Sequence, residues 1–214
     1  MARWRKRKRR RKTRSVPGLV WLILLVLAGS VLVVGNQVYS QRQAMIQQRQ
    51  AVAASKAKVA AAKRAFIERL APYAETLQQQ YNILPSVTLA QAILESDWGQ
   101  SELASKYHNL FGVKGTAQQQ TAIMSTKEFQ HGKWVTVRAQ FRVYPSDQAA
   151  MRDHALLFVN GTSWNRRQYA AVVAAQDYRT AARALQQAGY ATDPEYASKL
   201  VSVIQQYKLT QYDE

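Results

Sequence analysis

The chain contains no cysteine, which excludes thiol catalysis, disulfides and thiolate metal sites. Its three histidines, His108, His131 and His154, are scattered. They form neither a His-Glu-x-x-His motif nor any other i, i+4 pair that would hold a metal. A glycine-rich phosphate loop and a Gly-x-Ser-x-Gly elbow are also missing from the sequence. Carboxylates are the groups left to carry chemistry, and most of the 13 acidic residues sit among polar neighbours and read as solvated surface. Glu95 differs. In Leu89-Ala-Gln-Ala-Ile-Leu-Glu-Ser-Asp-Trp-Gly99 it lies near the C-terminal end of an apolar helical run. Ile93, Leu94 and Trp98 would desolvate it, and the carbonyl end of a helix disfavours an anion. Both effects raise a carboxyl pKa, as a general acid working near neutral pH requires. The same pattern also suits a glutamate on the polar edge of an amphipathic helix, so spacing alone leaves both readings open.

The elements that must position Glu95 are mostly helical. Phe66, Ile67, Leu70, Tyr73, Ala74 and Leu77 recur at helical spacing. Pro72 is expected to bend or split that helix, and Asn82 to end it. A second helix is predicted from Pro85, with Ser86 as N-cap, to Trp98-Gly99; Ser101–Lys106 reads as a helical turn. The period then changes. Val135, Val137, Ala139, Phe141 and Val143 alternate with Trp134, Thr136, Arg138, Gln140 and Arg142, a strand pattern. His131-Gly132 marks the turn from the preceding strand, Ile123–Phe129, giving a β-hairpin. Helical patterns return at Ser146–Phe158, Tyr169–Val173 and Tyr178–Ala188, where Gly189 stops the last one. Asp193-Pro194 is expected to cap a final helix running through Tyr207. The fold class is mainly α (α+β), a helical domain with one inserted hairpin lobe.

The segment from Pro85 to Ser101, followed by Asn109-Leu-Phe-Gly-Val-Lys-Gly115, closely resembles the peptidoglycan glucosaminidases. That family includes the flagellar muralytic enzyme and many autolysins. The match continues through Thr126-Lys-Glu-Phe129, Phe141-Arg-Val-Tyr144, Met151-Arg-Asp-His154 and Ala188-Gly-Tyr-Ala-Thr-Asp-Pro194, covering about residues 66–212. The resemblance implies a lysozyme-like fold and makes Glu95 the proton donor. It places Glu128, in the hairpin, at the family's second acidic position, as a base or electrostatic stabiliser. It also puts Tyr190 in the cleft wall near the acid, and Asn109 and Phe111 in the turn beside the catalytic helix. Asn109, Phe111 and Trp98 are candidate sugar contacts that could equally be packing residues. Asp97 stands where the family usually has a small residue, often Gly. Asp153-His154 reads mainly as capping and packing.

The remaining sequence is an address. The net charge is +17, but residues 1–14 hold ten Lys or Arg and residues 15–63 five more, with no acid in either stretch. Residues 64–214 carry 15 basic and 13 acidic side chains, so the domain is nearly neutral and nucleic acid is not an expected partner. Ser15–Val38 is uncharged and meets the length of about 20 apolar residues needed to span a bilayer. Trp21 and Tyr39 mark its interfaces. The basic flank predicts a cytoplasmic N-terminus beside anionic lipid, with the domain outside the membrane facing the wall. No small-x-small cleavage site follows, which favours an anchor over a signal peptide. Gln41–Lys63, rich in Gln, Ala, Lys and Arg, reads as a helical stalk.

The expected organisation is a basic tail (1–15), a transmembrane anchor (16–38), a stalk (39–63) and a glucosaminidase domain (64–214). The expected activity is hydrolysis of the β-1,4 bond after N-acetylglucosamine in peptidoglycan glycan strands, with no cofactor or metal. A muramidase or lytic transglycosylase using the same cleft is the nearest alternative. A catalytically weak wall-binding scaffold is the alternative of another kind.

Overall fold

The computed structural model describes residues 17–130 and 133–213, with the side chains of 126–130 and 133–134 left aside. The basic tail and the His131-Gly132 turn therefore lie outside the described residues. The first helix, α1 (Gly18–Tyr81), is divided between two units, residues 1–58 and 59–214. In the first unit every described side chain is exposed, including the run Leu19–Leu27 and Val31–Val34. Among the described residues α1 is the one helix long and apolar enough to cross a membrane, by length and composition. A helix apolar all round and packed on nothing is suited to a lipid environment.

In the second unit α1 becomes one-sided. Phe66, Ile67, Leu70, Ala71, Ala74 and Leu77 are buried at helical spacing, while Glu68, Arg69 and Pro72 face out. The helix does not break at Pro72. The carbonyl of Glu68, deprived of its donor four residues on, lies on the solvent side where water can satisfy it. Asn82, with φ 56°, turns the chain, and its side-chain amide donates to the Val173 carbonyl.

Helix α2 (Pro85–Ser96) is the centre of the domain, with every residue from Pro85 to Ile93 buried. Ser86 is not its N-cap: Leu84 holds that position and Pro85 occupies the first turn. Proline suits that turn because its missing N–H needs no partner. The Ser86 backbone N–H is satisfied from far away, donating to Asp213 Oδ1 at 2.8 Å. At the other end Asp97 (φ 49°), Trp98 (φ 60°) and Gly99 (φ 73°) lie in the left-handed region. A left-handed backbone at 97 suits the small residue expected there, and Asp is among the few others that tolerate it. Ser96 Oγ secures the turn by accepting from the Gly99 N–H at 2.7 Å.

After α3 (Glu102–Tyr107), β1 (Thr121–Gln130) and β2 (Lys133–Arg142) pair antiparallel in a two-stranded sheet, with Thr121 opposite Arg142 and Glu128 opposite Val135. The alternation read from the sequence is visible in the burial: Val135, Val137, Ala139 and Phe141 are more covered than Thr136, Arg138 and Gln140. Four more helices follow: α4 (Asp147–Asn160), α5 (Ala170–Val173), α6 (Tyr178–Gln187) and α7 (Tyr196–Gln206), of which α6 and α7 pack against α2. A 3-10 turn, Leu209–Tyr212, follows. Fully buried alanines at 74, 90, 92, 150 and 182 let the helices approach closely. The last α-helix starts later than expected. Asp193 Oδ1 accepts from the Glu195 N–H, capping a preceding turn rather than α7 itself, and Glu195 is the N-cap.

Candidate active site

Glu95 opens onto a cleft of about 850 Å³. Its walls come from α3 (Glu102, Leu103), the loop Phe111–Lys114, β1 (Met124, Ser125), α4 (His154, Leu157) and the segment Tyr190–Thr192. The last turn of α2 presents Glu95, while the rest of that helix is locked in the core. More than a third of Glu95 is solvent-accessible, yet protein surrounds it densely on its remaining sides. Accessibility records what a water molecule or substrate can touch, whereas the charge responds to all the low-dielectric matter nearby. Desolvation therefore raises the Glu95 pKa above the ordinary carboxyl range, partly offset by a hydrogen bond from Tyr196. Asp97 is not among the causes. A carboxyl that is reachable and inclined to keep its proton suits acid catalysis.

A network of aromatic residues backs the acid. Tyr196 Oη donates to Glu95 Oε1 at 3.0 Å and accepts from Gln91 Nε2 at 3.1 Å. Tyr190 lies almost parallel to Tyr196, ring centroids 5.6 Å apart, and its hydroxyl meets His154 Nε2 at 2.9 Å. His154 is itself stacked on Phe111 at 3.9 Å and edged by Phe158. Burial pushes the His154 pKa down to about 3, so the ring is neutral at physiological pH and serves as a packing and hydrogen-bonding element. Its neighbour Asp153 pairs with Arg142 Nη1 (2.8 Å) and accepts from the Tyr144 hydroxyl (2.6 Å). Asp153 thus ties α4 to the hairpin base, while Ser146 is the cap of α4.

The residues singled out in the sequence divide into two groups. Glu95, Tyr190 and Phe111 come together on the cleft wall. Asn109 does not reach it. It is 1% exposed, its Nδ2 donates to the carbonyls of Val113 (2.9 Å) and Arg142 (2.8 Å), and its Oδ1 accepts from the Val113 N–H (2.9 Å). An amide engaged in this way pins the loop to the hairpin base. Trp98 also lies off the cleft, packed edge-on against Phe66 and Tyr207, with Lys63 Nζ 4.5 Å from its ring centre. The left-handed turn at 97–99 carries the tryptophan to the α1 side of the domain. Glu128 stands in β1, and its side chain lies outside the described residues. Tyr196 was missed by sequence reasoning. The signal was its place on the buried stripe Tyr196, Leu200, Ile204 of α7, since a buried tyrosine hydroxyl needs a partner.

Comparison with known proteins agrees with this architecture. Residues 71–209 match the Glucosaminidase family, described as mannosyl-glycoprotein endo-beta-N-acetylglucosaminidase. Exo-glucosaminidase LytG of Bacillus subtilis (strain 168) is 52% identical over 151 residues, 71% of this chain and 54% of LytG. A probable N-acetylmuramidase of Lactococcus lactis subsp. lactis (strain IL1403) is 42% identical over 152 residues, 70% of this chain and 34% of that protein. The chain thus spans about half or less of the length of these curated relatives. Among solved structures, the catalytic domain of the autolysin Auto from Listeria monocytogenes superposes with a TM-score of 0.66 at 41% identity, covering 71% of this chain and 88% of that one. A lysozyme-like helical fold with a hairpin lobe, an accessible carboxyl at the end of its central helix and a family match over most of the domain lead to one assignment: the chain belongs to the glucosaminidase family of glycoside hydrolases, family 73.

Proposed function

We propose that this chain is a membrane-anchored peptidoglycan hydrolase that cleaves the β-1,4 bond after N-acetylglucosamine, with Glu95 as general acid. The observation that carries the reading is Glu95 itself, reachable from the cleft and shifted toward its protonated form by burial. Protonation of the leaving oxygen by Glu95 accompanies development of positive charge on the departing sugar. Glu128 is the proposed second carboxylate, acting on water or on the developing charge; assistance by the substrate's own acetamido group is the competing route for that step. The 18–38 portion of α1, uncharged, largely apolar and exposed throughout, acts as the anchor. The basic residues before it hold the N-terminus in the cytoplasm and leave the domain facing the wall.

The test uses the full chain in detergent with purified peptidoglycan, with the released fragments read by mass spectrometry. Reducing N-acetylglucosamine ends are expected. Reducing N-acetylmuramic acid ends would move the assignment to the muramidase activity named for the lactococcal relative, and anhydro ends to a transglycosylase. Fragment length separates internal cleavage from the terminal cleavage implied by the name of the Bacillus relative. Glu95→Gln is expected to lower kcat about a thousandfold, and Glu128→Gln about a hundredfold. Full activity in Glu95→Gln would remove it as the acid.

A further inference from the structure

Tyr196 reaches the acid from a helix 101 positions further along the chain, and its two hydrogen bonds have a direction. Gln91 Nε2 has only protons to offer, so at 3.1 Å it occupies a lone pair of the Tyr196 oxygen. The tyrosine's single proton is then left for Glu95 Oε1, 3.0 Å away. Gln91 and Tyr196 are both buried, and Gln91 Oε1 has no hydrogen-bond partner among the described residues. A neutral carboxyl accepts most strongly at its carbonyl oxygen. With Tyr196 donating to Oε1, that atom is the carbonyl, and the transferable proton resides on Oε2.

We infer that Tyr196, oriented by Gln91, is a positioning residue that fixes which oxygen of Glu95 delivers the proton to the glycosidic bond. The inference rests on Glu95 being the general acid. It adds one function to the tyrosine beyond packing: a donor on Oε1 stabilises the carboxylate left after transfer and keeps the acid from holding its proton too tightly. The other titratable groups facing Glu95 around the cleft are Tyr190, Tyr169, His154, Glu102 and Lys114. Tyr190, Tyr169, His154 and Glu102 have no hydrogen bond to Glu95 among the described residues. Asp97, next but one on its own helix end, is exposed.

The experiment compares the full chain with Tyr196→Phe, Gln91→Met and Glu95→Gln, recording kcat and KM on peptidoglycan across pH. Phenylalanine keeps the ring and removes the donor. In Tyr196→Phe, kcat is expected to fall on the order of tenfold with KM little changed. Glu95 must be protonated to act, so activity disappears as pH rises through its pKa. Loss of the tyrosine donor raises that pKa, and the alkaline limb moves to higher pH. Gln91→Met, close in volume and lacking the amide donor to Tyr196, moves the limb the same way by less. An alkaline limb unmoved in both variants overturns the inference, because simple packing damage lowers activity without shifting the profile. If Tyr196→Phe fails to fold, Gln91→Met alone decides. Should Glu95→Gln retain activity, the acid assignment falls and this inference with it. An inactive Glu95→Gln beside an unmoved limb sinks the tyrosine's role only.

Discussion

The two sides of the cleft are built in opposite ways. On the helical side, Glu95 stands at the end of a helix buried along most of its length and is braced through Tyr196, Gln91, Tyr190 and His154. On the other side is a two-stranded ribbon whose strands, among the described residues, pair with each other and gain only an isolated bridge between Phe141 and Lys114. Its attachments to the rest of the domain cluster at one end. Arg142 N–H donates to the Val113 carbonyl, Gly115 N–H to Gln140, and Val143 N–H to Gln120, while Asn109 holds the Arg142 carbonyl. A lone hairpin is marginally stable in water, so this lobe depends on its seat. Under the proposed mechanism the two carboxylates are held unequally. The acid's proton geometry is built into the core, whereas Glu128 is carried by a ribbon fixed at its base.

Cutting that seat is the most direct way to break the contrast. Asn109→Ala removes three hydrogen bonds and strands the Arg142 carbonyl and the Val113 N–H, leaving the Val113 carbonyl with the Arg142 N–H alone. The expected cost is about 3–5 kcal/mol, measured as a lowered denaturation midpoint of the domain, with activity reduced along with it. An unchanged midpoint would show that the strands seat themselves.

The helical side is tested through acid. His154 has its pKa depressed from 6.5 to about 3 by burial, so the native state refuses a proton that the unfolded chain accepts. Its contribution to stability is complete above pH 6.5 and is lost as pH falls toward 3, by roughly 3 kcal/mol between pH 6.5 and 4. His154→Gln keeps a polar partner for Tyr190 and cannot titrate. Its melting temperature starts lower but should decline less steeply over that window. Equal slopes would mean that His154 is not the sensor.

The smallest effect concerns Glu95. Its folded pKa is raised above the ordinary carboxyl value of 4.5, so the native state holds a proton that the unfolded chain releases. Stability is therefore lost as pH rises from about 4.5 through the raised value. Glu95→Gln should melt slightly higher than the parent at pH 7 and level with it at pH 4. A difference that ignores pH would point to packing instead.

Much of this was legible in the sequence because it depends on local periodicity. The buried stripe of α1, the alternation of β2 and the helix ending at Asp97-Trp98-Gly99 can each be read within a dozen residues. What could not be read are meetings between distant segments. Tyr196 and Glu95 are separated by 101 positions, and nothing in Asp-Pro-Glu-Tyr indicates which carboxylate the hydroxyl will meet. Ser86 has the right residue type for a cap, but with Pro85 in the first turn the N-cap lies two residues earlier, at Leu84, and Asp213 accepts the Ser86 N–H instead. Asn109 and Trp98 were visible as distinctive residues. Their roles in loop pinning and in packing on α1 depend on where the backbone turns, which composition does not encode.

The Asp213 contact also has a consequence in time. A chain emerges from the ribosome N-terminus first, so the helix that carries Glu95 is synthesised 117 residues before all of its end is complete, counting from Ser96 to Asp213. Until residue 213 has arrived, the first turn of α2 lacks a bond that the finished domain supplies, and until residues 196–212 have been made the surfaces of α7 and the 3-10 turn that cover it do not exist. Burial of the central helix, and with it the environment that keeps Glu95 protonated, thus waits for segments made more than a hundred residues later. A partly extruded chain presents its glutamate as an ordinary solvated carboxylate.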